Sequence, residues 1–416
     1  MYLNSLVESE CCGCTACEQI CPRNCIQMRK NEEGFLYPVV NNDKCIKCGL
    51  CEKVCPFGNY QKREQGDICY YGWHKDENVR SLSTSGAAFI AISEMCKKKG
   101  FTHFYGAAYD SNLCVKHIDT FEFENPEMLR GSKYTQSDIG DTYSAVKQNL
   151  QKGEKVLFSG TPCQVDGLKR YLGKLGDENL FLVALVCHGV SSPEAFAKYL
   201  QEVVSDNNSE VIGIRFRDKK IEKGHLSHRF TTLSLKNGQE ISSTDNIYTT
   251  AFGIGVMDRE SCYHCPYTSP SGAGDITIGD FWGIEIEKPE LSSEISKGIS
   301  LIIPHNEKAA NMITDLEEIM VLEKVPLRFA LNNRQQQLQR PIDRPMMRSS
   351  FLKRILVKQK KFKKEAKNAI LIWKIEGYKK DWSIKLTRLS EGKGYNCKNE
   401  ARGKETCKKY FASNAW

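Results

Sequence analysis

Eight cysteines near the N-terminus constrain this chain more than anything else in it. They form two copies of C-x2-C-x2-C-x3-C-P: Cys11, Cys14, Cys17 and Cys21 before Pro22, then Cys45, Cys48, Cys51 and Cys55 before Pro56. Each position of the second copy lies 34 residues after its counterpart (45 − 11, 55 − 21), so the segment is an internal duplication. The duplicated unit is a ligand pattern. Besides Glu18 and Glu52, the residues shared by the two copies are the thiols and the proline that follows the last of them.

This is the spacing of a bacterial two-cluster ferredoxin. Three evenly spaced thiols on one tight loop hold three corners of an iron–sulfur cubane, and the fourth cysteine of each run ligates the other cluster. The pattern therefore assigns one 4Fe-4S cluster to Cys11, Cys14, Cys17 and Cys55, and a second to Cys45, Cys48, Cys51 and Cys21. Zinc is the alternative, since paired C-x2-C units also build zinc ribbons. A tetrahedral zinc site takes four thiols in two pairs, however, and has no use for a third evenly spaced thiol and a Cys-Pro in each run. Cys12 and Cys25 fall outside the spacing and read as spare thiols. Between the copies, Gly34 to Asp43 reads as a strand, a turn and re-entry to the second loop.

The other cysteines must be read against their compartment. The first ten residues carry two glutamates and no basic residue, the wrong chemistry for a secretory leader. The longest apolar run, Leu180 to Cys187, falls far short of the roughly 18 residues that span a bilayer. A cytoplasmic protein is expected, in which thiols are kept for metal or redox chemistry rather than disulfides. The chain has 416 residues, 40% hydrophobic and 26% charged, enough for two or three folded domains and unlike a disordered or fibrous protein.

After a polar stretch from Gln61 to Asp67 the pattern changes to alternating strands and helices. Strand-like runs are Ile68 to Trp73, Phe101 to Tyr109, Val156 to Phe158, Leu180 to Cys187, Val211 to Phe216 and Ile276 to Ile278. Helical patterns cover Gly86 to Lys99, Thr142 to Leu150, Pro162 to Leu172 and Pro193 to Val204. The expected fold class is α/β: a two-cluster head over residues 1–66, a mixed α/β domain over 67–340, in one or two lobes, and a basic, helical tail over 341–416. Ser83, Thr84, Ser85 and Gly86 precede a predicted helix and offer hydroxyls and free N–H groups, either to a phosphate or simply as a helix cap. No G-x-G-x-x-G and no phosphate-binding G-x-x-x-x-G-K-[ST] occurs, which disfavours a nicotinamide-binding domain.

Four further cysteines stand out. Cys163 opens a helix after the turn Ser159-Gly160-Thr161-Pro162, a position that favours a thiolate. Cys187 ends an apolar strand, and Cys262 and Cys265 form a C-x2-C before Pro266. Taken singly they read as a lone redox thiol, a small buried hydrophobe and half a zinc site. Taken together they supply four ligands, enough for a third 4Fe-4S cluster. Cys69, Cys96, Cys114, Cys397 and Cys407 have no partner spacing and read as structural or incidental.

At these residues the chain resembles the family of beta subunits of coenzyme F-420 hydrogenases and dehydrogenases. The matching segments, in family order, are Leu82 to Phe89, Tyr105 to Asp110, Leu129 to Gly140, Val156 to Gln164, Val186 to Gly189, Cys262 to Cys265 and Asp275 to Gly283. Ala87 stands where a second glycine is usual. The resemblance implies a bound FAD, which can exchange electrons in pairs with a hydride donor or acceptor and singly with iron–sulfur centres. It implies that Ser83, Thr84, Ser85 and Gly86 cradle the FAD phosphates, that Lys133, Ser159, Gly160 and Thr161 line the flavin site, and that Cys163, Cys187, Cys262 and Cys265 bind the third cluster. The activity implied is an oxidoreductase acting on a deazaflavin or another reducible metabolite. The alternative is a non-catalytic electron-transfer protein that relays charge between partner proteins.

Charge is concentrated at one end. From Phe351 to Ser390 there are 13 lysines and arginines against three acids, a net +10, whereas the whole chain is +8. The remaining 376 residues therefore sum to −2. Such a segment is either a solvated helix or a dock for an acidic redox partner such as a ferredoxin, with contact to an anionic membrane surface as a further alternative. Nucleic acid is not expected, because no recognition module accompanies the charge.

Overall fold

The computed structural model describes the backbone of residues 1–390 and side chains through 377. Cys397 and Cys407 lie outside the described residues. The cysteine-rich head carries one antiparallel hairpin, β1 (Ile26–Lys30) and β2 (Leu36–Val40), between its two thiol loops. Each thiol loop enters a single helical turn through a left-handed residue, Thr15 in the first copy and Gly49 in the second.

The rest is built on an eight-stranded mixed sheet. Its strands are β3 (Ile68–His74), β4 (His103–Tyr109), β5 (Val115–Asp119), β6 (Val156–Gly160), β7 (Leu180–Leu185), β11 (Ile276–Asp280), β12 (Ser300–Pro304) and β13 (Met320–Pro326). They lie in the order β13-β3-β12-β11-β7-β6-β4-β5. The central strands β4, β6, β7 and β11 are parallel, and β12, β13 and β5 run antiparallel to their neighbours. β6 is buried at all five positions, as expected of a parallel strand covered on both faces. The covering helices include α1 (Ala88–Lys98), α2 (Thr142–Gln151), α3 (Pro162–Leu172), α4 (Pro193–Asn207), α5 (Ile247–Gly253) and α6 (Glu307–Leu316). Loops at the carboxyl ends of parallel strands are where such sheets place ligands. At those ends stand Thr161, Cys163 on the first turn of α3, Cys187, and Asp280 as the last residue of β11.

A second sheet of three antiparallel strands, β8 (Val211–Glu222), β9 (His225–Leu235) and β10 (Glu240–Ser243), packs beside the first. Only the first half of β8 is visible in the sequence pattern, because Arg217 to Glu222 is almost wholly charged. The helix anticipated from residue 86 starts two residues later. Ala87 takes a left-handed φ of 69°, and a side chain on Gly86 would stand 2.3 Å from the Gly72 carbonyl oxygen. Gly86 is thus needed where the loop crosses the backbone of β3.

The basic C-terminal stretch is not a free appendage in its first half. Phe351, Leu352, Ile355, Phe362, Ala366 and Ala369 are buried in one hydrophobic cluster with Tyr199, Tyr248 and Phe252 of α4 and α5. Helix α7 (Phe362–Ser390) begins inside that core, and only its later part lies beyond it. From residue 351 through 377 the lysines and arginines are exposed or half-exposed, so net charge concealed an apolar stripe at helical spacing.

Candidate functional site: thiols where the head meets the sheet

The head brings Cys55, the fourth thiol of the second copy, to the first copy's loop, and Cys25 lies between Cys21 and the second copy's Cys45. Cys17 is pushed well up by burial and then by the charges of Cys14, Cys11 and Cys55. Cys55 is raised to about 11 by burial, with Cys14 and Cys11 again its charged neighbours. At the other loop, the Cys21 and Cys25 sulfurs are 3.3 Å apart. Cys25 is raised to about 11, first by its hydrogen bond with Cys21, and it also contacts Cys45. Cys25, without a place in the spacing, therefore sits among these thiols. Cys48 is exposed. Among the described residues no three His, Cys, Asp or Glu side chains could hold a metal ion, so the grouping rests on which thiols are neighbours.

A second set of thiols meets at the sheet. Cys163 lies on the first turn of α3, which Thr161 and Gln164 close with a reciprocal capping box behind Pro162. Cys187 follows β7, and Cys262 and Cys265 flank His264 on the turn Glu260–His264 and just past it. All four line one cleft, with about 550 Å³ of unfilled space including its solvent mouth. Burial pushes Cys187 well up, and then the charges of Cys262 and Cys163. Cys262 and Cys265 are raised in the same way. Cys163 moves oppositely, lowered to about 7, chiefly by a hydrogen bond from Cys12. The four thiols thus come from three separate segments and meet at one cleft, and cysteine sulfur is the ligand type that 4Fe-4S clusters take.

The two thiol sets share a wall. Cys12, from the head, lines the cleft and contacts both Cys14 and Cys163. Arg259, three residues before Cys262, is fully buried between them. Its guanidinium donates to the carbonyls of Cys11 (2.7 Å) and Leu36 (2.8 Å) and to Gln136 Oε1 (3.1 Å), and it reaches the Cys11 sulfur at 3.5 Å. It also stacks over the rings of Tyr37 and Phe35. Gly13 makes room for it, since a Cβ there would stand 2.8 Å from Arg259 Nη1. The head is further held by Arg63 on Asp166 at 2.6 Å and by Glu33 on Arg348 at 2.7 Å. Neither Cys12 nor Arg259 carried a sequence signal beyond proximity to a motif.

The residues anticipated at a flavin lie elsewhere along the sheet edge, and most have protein partners. Ser83 donates to the Val79 carbonyl and Ser85 to that of Ile299. Thr84 Oγ1 accepts from the Ser132 N–H. Lys133 donates to the carbonyls of Met128 and Arg130, and burial lowers its pKa to about 7. Ser159 donates to the Tyr105 carbonyl, Gly160 ends β6, and Thr161 lines the thiol cleft. The hairpin β8–β9 adds cations that sequence reasoning missed. Lys219 donates to the carbonyls of Arg80 (2.7 Å) and Ser85 (2.9 Å), and Arg217 pairs with Asp280 while stacking on Trp282. A phosphate chain at this edge would therefore meet Lys133 and Lys219 rather than free hydroxyls.

Comparison with known proteins gives two family matches. Residues 10–59 match the 4Fe-4S dicluster domain, and residues 153–328 match the C terminus of the coenzyme F420 hydrogenase/dehydrogenase beta subunit. A curated relative, one of the subunits of the F(420)H(2) dehydrogenase of Methanosarcina mazei, is 19% identical over 329 residues, 74% of this chain and 84% of its own. A protein of the F420-reducing NiFe hydrogenase complex from Methanosarcina barkeri aligns with a TM-score of 0.43 and 16% identity, over 74% of this chain and 89% of that one. Residues 10–59 thus match a 4Fe-4S dicluster domain, and residues 153–328 are similar to the C-terminal domain of coenzyme F420 hydrogenase/dehydrogenase beta subunits.

Proposed function

We propose that the protein is an iron–sulfur flavoprotein oxidoreductase that passes electrons between 4Fe-4S clusters and an FAD, which exchanges hydride with a small molecule such as a deazaflavin. The observation that carries this reading is the shared wall: a head thiol, Cys12, touches both Cys14 of the dicluster domain and Cys163 of the cleft. Cys11, Cys14, Cys17 and Cys55 would hold the inner head cluster, Cys21, Cys45, Cys48 and Cys51 the outer one, and Cys163, Cys187, Cys262 and Cys265 the third. Lys133 and Lys219 would hold the FAD phosphates, with the loop Ser83 to Gly86 as their floor. When bound, FAD supplies the change from paired to single electrons. This chain's own contribution is to bury the inner thiols from water, hold them in line and present cations at the sheet edge. The outer face of the C-terminal basic stretch would dock an acidic redox partner such as a ferredoxin.

Counting iron and acid-labile sulfide on anaerobically purified protein, with release of the flavin, tests the reading. Three cubanes require about twelve iron per chain, and about eight removes the third. Cys163→Ser is expected to lose about four iron, one cubane. Unchanged iron in that variant sinks the ligand assignment. A second reading, an electron relay without catalysis of its own, is favoured by the curated relative being one of several subunits of a dehydrogenase. Clusters without flavin absorbance would decide for it.

A further inference from the structure

Among the described residues three arginines are buried to 1% exposure or less: Arg80, Arg259 and Arg348. Arg80 has the carboxylate of Glu294 at 2.7 Å, and Arg348 those of Glu33 and Glu260. Arg259 has no carboxylate partner among the described residues. Its hydrogen bonds go to two carbonyls, one amide and the sulfur of Cys11. A buried cation without a counter-charge is expensive, so a negative group is required beside it. The groups that feel its charge include Cys11, Cys12, Tyr37, Cys163 and Cys262. Of these, Cys11 is a thiol of the inner head set, and Cys163 and Cys262 are thiols of the cleft set.

We infer that Arg259 takes the clusters themselves as its counter-charge and sets the reduction potential at the junction between the dicluster domain and the cleft. The inference rests on the cluster reading above. A cubane gains one electron on reduction, with no bond made or broken and no proton required, so its thiolate-bound core becomes more negative by one charge. A fixed cation in a water-poor wall favours that reduced state. Arg259 is therefore a positioning residue: it holds Cys11 through the backbone and fixes where electrons rest along the line of thiols. A guanidinium suits the task because its charge cannot be lost by deprotonation.

Redox-poised electron paramagnetic resonance on the anaerobic full-length protein tests this with Arg259→Met and Arg259→Lys. Iron is counted first, because a wild-type protein short of its iron disposes of the cluster reading before any potential is measured. In loaded Arg259→Met, one junction cluster should shift at least tenfold toward the oxidised state, about 59 mV for one electron. Arg259→Lys keeps the charge and should stay within about threefold of wild type. A loaded Met variant with unmoved potentials overturns the inference. So does a loaded Lys variant shifted tenfold, or failure of both variants to hold iron, which would make the guanidinium an assembly element instead. If only the Lys variant loads, unmoved potentials uphold the inference.

Discussion

Removing the basic C-terminal stretch at two different points separates its charge from its packing. A chain ending at residue 377 loses ten basic and four acidic residues, so its net charge falls from +8 to +2 while the buried residues of α7 stay in place. A chain ending at residue 350 also loses Phe351, Leu352, Ile355 and Phe362, each at most 1% exposed. Fully burying a side chain of this size contributes about 1.5–3 kcal/mol, so the four together supply about 6–12 kcal/mol. That is comparable with the entire stability of an ordinary domain, about 5–15 kcal/mol. Tyr199 and Tyr248, which stack against Phe362, would be opened to water as well. The shorter chain is therefore expected to be insoluble or protease-sensitive and poor in iron. The chain ending at 377 should keep wild-type iron and flavin, and bind an acidic ferredoxin with a smaller dependence on salt. Soluble yield, iron per chain and limited trypsin digestion on the two truncations provide the assay. A chain ending at 350 with wild-type iron and protease resistance would refute the packing argument.

Arg348→Met should lower stability by about 3 kcal/mol, the low end of the range for a broken buried pair, because Glu33 and Glu260 keep some solvent contact. Thermal unfolding of the anaerobic protein reads this as a melting point several degrees lower, and an unmoved melting point contradicts it. His117 is buried, bonds the Ser159 carbonyl at 3.0 Å, and has its pKa lowered by burial to about 4. A histidine free in the unfolded chain titrates near 6.5. Its contribution to stability is thus complete above that pH and lost as pH falls toward 4, since the unfolded chain binds the proton first. The urea midpoint should fall between pH 7 and 5, less so in His117→Gln; equal slopes in both proteins would rule His117 out.

What could be read in advance depended on how locally each feature is determined. The thiol loops were legible because a cubane fixes the spacing of its ligands whatever surrounds it. Helix α3 was legible to the residue because Thr161, Pro162 and Gln164 form its start by themselves. Helix α1 began late, since the need for a glycine at 86 comes from a strand 14 residues earlier, at Gly72. The hairpin β8–β9 escaped notice beyond Phe216 because its charged residues satisfy cations and carboxylates of other strands, such as Asp280, rather than an alternating pattern. Arg259 was invisible for the same reason. A lone arginine acquires its role only when Cys11, Leu36 and Gln136, scattered over the chain, close around it.

The clamping of the head has a consequence for traffic. Multidomain redox enzymes can move charge by swinging a carrier domain between two docking positions, in which case solvent viscosity and linker length govern turnover. Here Arg259, Arg348 and Arg63 fasten the head at three separate points, and residues 33 and 348 meet across 315 positions of sequence. These contacts oppose a swinging head. Cys12 is buried against the cleft, and the loop around exposed Cys48 and Ile46, which is 60% exposed, faces solvent. In the electron path proposed above, the loop of residues 44–48 is the head's open end, and the charge of the basic stretch is what would draw an acidic carrier to the molecule.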